Sequence, residues 1–361
     1  MLLKNEGEVL PIASATTTVT VIGPLADSRA DQVGTWSMDA RLEAVETPLA
    51  ALRKALGPDR VLFAPGMRNS RDRDRSGFGA AVDAARRADV VLLFLGEEAI
   101  LSGEARSRAF LDLPGAQDAL IDAVRAAGKP IVLVILAGRP LTFHDAAAKA
   151  ATVVYAWHPG TMGGPALASL LTGKAMPSGR LPITFPRTVG QVPIYYAHLN
   201  TGRPASDKEL GIPLGNPEQP AGYTSKYIDV DFTPEYPFGY GLTYTRFEYS
   251  GLHISAPSIR SGETFTISAS IANRGAREGV ETVQLYAHWR SASVAQPVRK
   301  LLAFQSMALR AGETRAVSFT VSTADLSFYN ARLERVIEPG RVELWIAPDA
   351  AHGIAGEIEV R

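Results

Sequence analysis

The chain has 361 residues, of which 46% are hydrophobic and 20% are charged, so it is long enough for two globular domains with sizeable cores. The 37 basic and 37 acidic residues give a formal net charge of zero, which disfavours nucleic acid as a partner because its binding needs a basic face. No apolar run approaches the ~20 residues that a membrane-spanning helix needs. Cysteine is absent, which excludes a disulfide framework and a thiolate metal site.

Up to about residue 200, continuous apolar segments alternate with amphipathic segments. The strands predicted in chain order are TVTVIGPLA (18–26), RVLFAPG (60–66), VVLLFLG (90–96), IVLVILAG (131–138) and ATVVYAWHPG (151–160). The helices predicted with them are TPLAALRKALG (47–57), FGAAVDAARRAD (78–89), GAQDALIDAVRAAGKP (115–130) and GPALASLLTG (164–173). Apolar strands separated by helices predict a mostly parallel sheet that is covered on both faces.

The pattern changes in the second part of the chain. Residues 187–232 are irregular and rich in Pro, Gly, Asn and Tyr, which predicts a linker or a wrapped extension. From about residue 245 the apolar residues alternate with polar ones in TFTISASIANRG, VETVQLYAHWR, TRAVSFTVS, RVELWIAP and GEIEVR. This period of two predicts an antiparallel β-sandwich of the immunoglobulin or fibronectin type. The predicted fold class is therefore α/β plus β.

One loop carries the residues with the clearest chemistry. SGEARSRAFLDLP (102–114) follows the end of the predicted strand at 90–96, and it contains Glu104, Arg106 and Arg108. Ligands of parallel sheets bind beyond the carboxyl ends of the strands. Glu104 can be a reactive carboxylate there, or it can be one member of a solvated ion pair with the arginines. Trp36, on a predicted loop after the first strand, can stack on a sugar ring or pack in the core.

Other kinds of site find little support in the sequence. None of the six histidines lies at a metal-ligand spacing, and we expect neither a metal nor a cofactor. His158 and Trp157 lie at a predicted strand end, where they can line a pocket or serve packing. No nucleophile elbow and no phosphate-binding glycine loop occurs, and VIGPLADS lacks the second and third glycines of a dinucleotide site.

Seven segments together, in order along the whole chain, resemble the C-terminal half of glycoside hydrolase family 3, especially its bacterial periplasmic β-glucosidases. They are LLKNEGEVLPI, VIGPLADSRADQVGTWS, SGEARSRAFLDLP, GRPLTF, AWHPGTMGG, PSGRLPITFP and YPFGYGLTYTRFEY. The resemblance implies an (α/β)6-sandwich domain at 1–190, a linker at 191–235 and a fibronectin type III-like domain at 236–361. In full-length relatives these domains follow a (β/α)8 barrel whose Ser-Asp-Trp segment carries the nucleophile. This sequence contains no Asp-Trp pair, so we expect it to lack the barrel.

The resemblance also implies roles for individual residues. Glu104 matches the family's general acid/base, and Arg108 matches a frequent arginine that we expect to orient the loop. Trp36 matches the tryptophan beside the aglycone subsite, and Arg106 is a second candidate for substrate binding. We expect both arginine heads to point away from Glu104, because a guanidinium in contact would favour the ionised carboxylate. One position departs from the family: Met162 stands where relatives often carry a glutamate.

The resemblance implies that the chain is part of a retaining β-glucosidase that acts on terminal non-reducing β-D-glucosyl residues. It also implies that the chain is inactive without the barrel. A non-catalytic carbohydrate-binding or structural module is an alternative, and β-xylosides or α-arabinosides are alternative substrates. The expected partners are an oligosaccharide or β-glucoside and the barrel, in cis or in trans, with neither nucleic acid nor membrane. MLLKNEGEVLPI is not a signal peptide. We expect a truncated or mis-started reading frame, or half of a split enzyme, whose full-length form is periplasmic or secreted.

Overall fold

The computed structural model describes residues 1–12, 16–205 and 224–361, and the chain divides into two compact units. The first unit consists of Met1–Gly179, Thr188–Gly190 and Gly241–Tyr244, and the second of Arg180–Arg187, Gln191–Tyr240 and Thr245–Arg361. The predicted linker, 191–235, falls within the range of the second unit, and its residues 206–223 lie outside the described part of the chain. No helix of the described residues is long and apolar enough to cross a membrane.

The first unit is built on a sheet of six strands. In chain order these are β1 (Leu2–Asn5), β2 (Val19–Ile22), β3 (Val61–Ala64), β4 (Val90–Gly96), β5 (Ile131–Leu136) and β6 (Thr152–Tyr155). Their order across the sheet is β1-β6-β5-β4-β2-β3, in which β1 is antiparallel to β6 and all other pairs are parallel. The five parallel strands lie within the five predicted apolar segments, so the mostly parallel sheet is confirmed.

In the described part of this unit, six α-helices accompany these strands. They are α1 (Arg29–Val33), α2 (Pro48–Leu56), α3 (Phe78–Arg86), α4 (Gln117–Arg125), α5 (His144–Lys149) and α6 (Gly163–Leu171). The longer helices, α2, α3, α4 and α6, lie where the helical spacing predicts them. The start of α2 shows why: the Thr47 hydroxyl accepts a hydrogen bond from the backbone N–H of Ala50, and Pro48 occupies the first helical position.

Three elements of the first unit were not predicted, namely β1, α1 and α5, and all of them are short. Strand β1 has four residues and finds its partner, β6, about 150 positions further along the chain. Helix α5 has six residues, three of them alanine, which is too short for a hydrophobic period to show. Such short elements depend on tertiary packing more than on local sequence.

The middle strands of the sheet are apolar because they lie in the centre of the hydrophobic core. Every residue of β4 and β5 is buried, which agrees with strands that are covered on both faces. Strand β4 ends at Gly96, whose φ is +131°, and a Cβ at this position would collide with the carbonyl oxygen of Leu136 on β5. Only glycine allows this close approach, so Gly96 fixes where the chain leaves the sheet and Glu97 begins the next loop.

In its described residues, the second unit contains β-strands and no α-helix. Its strands are β7 (Phe247–Ile254), β8 (Ser258–Ile259), β9 (Thr264–Asn273), β10 (Gly279–Trp289), β11 (Lys300–Leu309), β12 (Thr314–Ser322), β13 (Phe328–Tyr329), β14 (Arg335–Val336), β15 (Gly340–Ala347) and β16 (Ile354–Val360). They form a sheet in the order β11-β10-β15-β16-β8, a sheet in the order β12-β9-β7 and the small hairpin β13-β14.

Alternation identifies most of the long strands of this unit. The residues of β9, β12 and β15 that meet in one hydrophobic cluster recur at every second position, as the period of two predicts. Strands β7 and β11 were not predicted. The first seven residues of β11 include none that is fully buried, so the sequence shows no alternation there. The α/β plus β fold class is confirmed.

Candidate active site

The candidate site lies at the carboxyl ends of the parallel strands of the first unit. The loop after β4 carries Glu104, the segment after β2 carries α1 and Trp36, and the segment after β6 carries His158. Strands β2 and β4 are neighbours in the sheet, and β6 is separated from β4 only by β5. The topology thus brings residues that are more than 50 positions apart to one edge of the sheet.

Glu104 lies on the exposed part of its loop. Its side chain is exposed, and among the residues that the structure describes no ion pair joins Glu104 to Arg106 or Arg108. The neighbouring residues hold an unusual backbone, since Gly103 has a φ of +110° and Ala105 a φ of +55°. The solvated ion pair that the sequence allowed is therefore not formed, and the carboxylate faces solvent.

The two arginines of the loop have different partners. The guanidinium of Arg108 donates from Nη1 to Oε1 of Glu97 over 2.6 Å and from Nη2 to the carbonyl oxygen of Asp112 over 2.8 Å. Arg106 is exposed, and its Nη1 donates to the carbonyl oxygen of Ala105 over 3.4 Å. Neither guanidinium forms an ion pair with Glu104 in the described residues.

The Glu104 loop is hydrogen-bonded to the segment that carries Trp36. The Thr35 hydroxyl donates to the carbonyl oxygen of Ser102 over 2.8 Å, and Oδ1 of Asp31 accepts from the backbone N–H of Ala99 over 2.8 Å. The contact is close, because a Cβ on Gly103 would come within 2.6 Å of the Thr35 methyl group. The loop and the Trp36 segment therefore form one packed assembly.

Trp36 is not a core residue. Its side chain is 66% exposed, and it lines a groove of about 590 Å³ together with Met38, Gly160 and Thr161. An exposed indole beside an open groove can stack on a sugar ring or on another flat group. Of the two interpretations left open by the sequence, the structure thus removes the one in which Trp36 serves packing.

The segment at 160–164 departs from the family pattern in sequence, but its backbone is hydrogen-bonded to a buried side chain. Met162 is 65% exposed, so no side-chain hydrogen bond replaces those that a glutamate could make there. Beneath it, the buried Gln32 amide donates from Nε2 to the carbonyl oxygen of Gly160 over 2.8 Å. The backbone here is positioned by Gln32 and not by the side chain of residue 162.

Sequence reasoning missed two residues that hold the loop, Glu97 and Arg139, and it left the role of His158 open. Glu97 is completely buried, and Arg139 binds it through Nε at a distance of 3.2 Å. His158, expected to line a pocket or to serve packing, accepts at Nε2 from the Ser102 hydroxyl over 3.1 Å. Its Nδ1 lies 3.1 Å from the carbonyl oxygen of Asp31, which can only accept, so Nδ1 carries the proton in the neutral ring. The sequence signal for Glu97 was its place directly after Gly96 at a strand end.

The burial of His158 predicts that the stability of the protein depends on pH. Burial lowers the pKa of His158 below its ordinary value of 6.5, although the Asp31 carbonyl and the carboxylates of Glu97 and Asp31 oppose the shift. A lowered pKa means that the folded state disfavours the protonated ring. The stabilising contribution of neutral His158 is therefore complete above about pH 6.5 and is lost as the pH falls through the lower pKa of the folded protein.

We expect His158→Gln, which keeps a polar side chain that does not titrate, to reduce the loss of melting temperature between about pH 8 and about pH 5. Thermal unfolding followed by circular dichroism at both pH values measures this loss. His253→Gln is the matched control, because His253 is exposed. Equal pH dependence in the wild type and in His158→Gln would show that burial of His158 does not control stability in this range.

Comparison with known proteins identifies the family. The profile of the Glycosyl hydrolase family 3 C-terminal domain matches residues 1–244, and that of the Fibronectin type III-like domain matches residues 281–350. The chain belongs to glycosyl hydrolase family 3. The family that the seven segments resemble is therefore confirmed, and residues 1–244 include every residue of the candidate site.

Relatives in family 3 are longer than this chain. A periplasmic beta-glucosidase of Salmonella typhimurium is 38% identical to it over 100% of this chain and 48% of the relative. A beta-xylosidase of Formosa agariphila is 32% identical over 94% of this chain and 45% of the relative. The crystal structure of a mutant β-glucosidase from Listeria innocua with laminaribiose has a TM-score of 0.91 and 34% identity, over 100% of this chain and 48% of that one. The chain thus spans about half the length of these family 3 relatives.

Proposed function

We propose that this chain contributes the general acid/base, Glu104, to a retaining β-glucosidase. The observation that carries the proposal is the environment of Glu104. It is an exposed carboxylate without an ion pair in the described residues, and its loop is hydrogen-bonded to Asp31, to Thr35 and to the buried Glu97. A group that transfers protons to a substrate must face the space where the substrate lies and must be held in place.

The chemistry needs a second carboxylate. A retaining glycosidase uses two carboxyl groups about 5–5.5 Å apart: one attacks the anomeric carbon, and the other protonates the leaving oxygen and then activates water. Glu104 takes the second role. Trp36 and Arg106 bind the substrate, Trp36 by stacking on the aglycone and Arg106 by hydrogen bonding from its exposed guanidinium.

The nucleophile lies outside this chain. In the family pattern it belongs to the (β/α)8 barrel, and the chain spans about half the length of its relatives. The barrel is therefore the partner, either on the same polypeptide or on a separate one, and the chain alone is inactive. We place the complete enzyme in the periplasm or outside the cell, because a relative that matches the whole chain is named a periplasmic beta-glucosidase.

A β-xyloside is the second candidate substrate, because a relative 32% identical to the chain is named a beta-xylosidase. α-Arabinosides stay a third possibility from the family resemblance. Comparing kcat/KM for 4-nitrophenyl β-glucoside, β-xyloside and α-arabinoside separates the three, and a higher value for the β-xyloside would replace the β-glucosidase proposal. The competing non-catalytic module predicts binding of glucose or cellobiose that Glu104→Gln leaves unchanged.

The test is hydrolysis of an aryl β-glucoside by the chain alone and after mixing with a separately produced family 3 barrel. We expect no activity from either part, activity from the mixture, and its loss with Glu104→Ala. Activity of the chain alone would contradict the proposal, since it would require a nucleophile within these residues. An active mixture that Glu104→Ala leaves unchanged would remove Glu104 from the reaction while leaving the two-part enzyme intact.

A further inference from the structure

Glu97 is a charged group with no access to solvent. Its side chain is 0% exposed, and its two oxygens are shared between two arginines: Oε1 accepts from Arg108 over 2.6 Å, and Oε2 accepts from Arg139 over 3.2 Å. A buried carboxylate is costly unless it is paired and hydrogen-bonded. This arrangement satisfies both oxygens with cations that are themselves only 17% and 19% exposed.

Each arginine also holds the backbone of the Glu104 loop. Nη2 of Arg139 donates to the carbonyl oxygens of Leu101 and Arg106, the latter over 2.7 Å. Nη2 of Arg108 donates to the carbonyl oxygen of Asp112 over 2.8 Å. Glu104 lies between Leu101 and Arg106 in the sequence. The guanidinium of Arg139 therefore binds the loop backbone on both sides of the proposed acid/base.

We propose that Glu97 and Arg139, assisted by Arg108, form a positioning centre that sets the place of Glu104 for proton transfer. The proposal rests on the proposed function and deepens it. Glu97 fixes the orientation of both guanidinium groups from inside the fold. The guanidinium groups fix the loop carbonyls, and the loop carries Glu104 outward. Glu97 is fully buried and both arginines are largely buried, so we assign them a positioning role.

The chemistry of arginine makes the proposal specific. A guanidinium presents several N–H donors in a rigid plane, so Arg139 can bind Glu97 through Nε and two loop carbonyls through Nη2 at once. A lysine keeps the positive charge beside Glu97 but has a single ammonium group on a flexible stem. It cannot bridge the buried carboxylate and both carbonyls, so Arg139→Lys separates charge from positioning.

The matched control is the ion pair beside this centre. Arg71 binds Glu98, the residue after Glu97, through Nε over 3.0 Å and Nη2 over 3.1 Å. Within the described residues, its guanidinium makes no hydrogen bond to the carbonyls at residues 101–112. Arg71→Lys therefore makes the same chemical change without removing a hydrogen bond to the Glu104 loop. Arg71 and Arg139 lie at similar distances from Glu104 along the chain.

The first measurement uses the 361-residue chain as it is. Hydrogen–deuterium exchange of peptides covering 100–112 is expected to accelerate at least about 10-fold in Arg139→Lys, with little change in Arg71→Lys. Arg108→Lys, which releases only the carbonyl of residue 112, should accelerate exchange mainly at the C-terminal end of the loop. Melting temperatures of all variants show that the comparison is made between folded proteins.

The second measurement uses the active mixture with the barrel. A good leaving group such as 2,4-dinitrophenolate departs without protonation, whereas the leaving group of an unsubstituted phenyl or methyl glucoside needs the general acid. We expect Arg139→Lys to lower kcat/KM by about 10- to 100-fold for the poor leaving groups and by less than about 3-fold for 2,4-dinitrophenyl β-glucoside. A structural defect would lower the rates of all substrates equally.

The outcomes distinguish this inference from the proposed function. Unchanged exchange of 100–112 in Arg139→Lys, or an equal rate loss for every leaving group, overturns the positioning centre even if Glu104→Ala abolishes activity. Faster exchange in Arg139→Lys together with an active Glu104→Ala enzyme overturns the role of Glu104 as acid/base. It then also overturns the proposal that the positioning centre acts on proton transfer. Faster exchange combined with a loss confined to poor leaving groups supports both.

Discussion

Replacing Glu104 by glutamine is expected to lower kcat/KM for phenyl β-glucoside by roughly 10²- to 10⁴-fold in the mixture with the barrel, which is the usual contribution of a positioned general acid. Glutamine has nearly the shape of glutamate but cannot donate the proton. The loss should shrink for 2,4-dinitrophenyl β-glucoside, where a covalent intermediate should instead accumulate, because the step that needs a general base is slowed. Steady-state and burst kinetics measure both effects.

The pH profile gives an independent check on Glu104. The alkaline limb of kcat/KM reports the ionisation of the essential acid in the free enzyme, so Glu104→Gln should flatten this limb. Because Glu104 is exposed and has no ion pair in the described residues, the melting temperature should change little. A retained alkaline limb in an otherwise slow Glu104→Gln enzyme would mean that another group donates the proton.

Replacing Glu97 by glutamine should cost about 3–5 kcal/mol of unfolding free energy, because it leaves two largely buried arginines without their anion. Urea unfolding followed by tryptophan fluorescence measures this change, with hydrogen exchange of β4 and β5 to assign it to the first unit. Such a loss is large compared with the 5–15 kcal/mol by which domains are usually stable.

Glu98→Gln is the control for Glu97, since it changes the next residue by the same atoms. Glu98 binds the half-exposed Arg71 and accepts from the Ser70 hydroxyl over 2.8 Å, and hydrogen bonding from Arg71 lowers its pKa. A pair of this exposure is worth about 1 kcal/mol or less. If both variants lost the same stability, burial of Glu97 would not be the source of the effect.

Three glutamates within eight positions thus have three different environments. Glu97 is buried between two arginines, Glu98 forms a partly exposed ion pair, and Glu104 faces solvent. The sequence suggested the importance of Glu104 through its place after a strand and its family resemblance. It gave no means of ranking Glu97 above Glu98, because burial of a side chain at a strand end depends on residues such as Arg139 that are about 40 positions away.

Much of the fold could be predicted because its signals are local. The apolar segments VVLLFLG and IVLVILAG predict strands that are buried on both faces, and the alternation in TFTISASIANRG predicts a strand of a β-sandwich. Strands β1 and β11 could not be predicted in this way. Strand β1 is too short to show a period, and the solvent-facing first part of β11 has no alternation.

The sequence by itself determined the order of the elements, the change from α/β to β, and the presence of a carboxylate, two arginines and a tryptophan on loops at strand ends. These properties follow from hydrophobic period, turn residues and motif order, all of which act over short distances along the chain. Only the tertiary structure decided that Arg108 turns inward to Glu97, that Arg139 brackets Glu104, and that Trp36 is exposed beside the same loop. These contacts depend on which strand ends become neighbours in the parallel sheet. Contacts between distant segments form only when the sheet assembles.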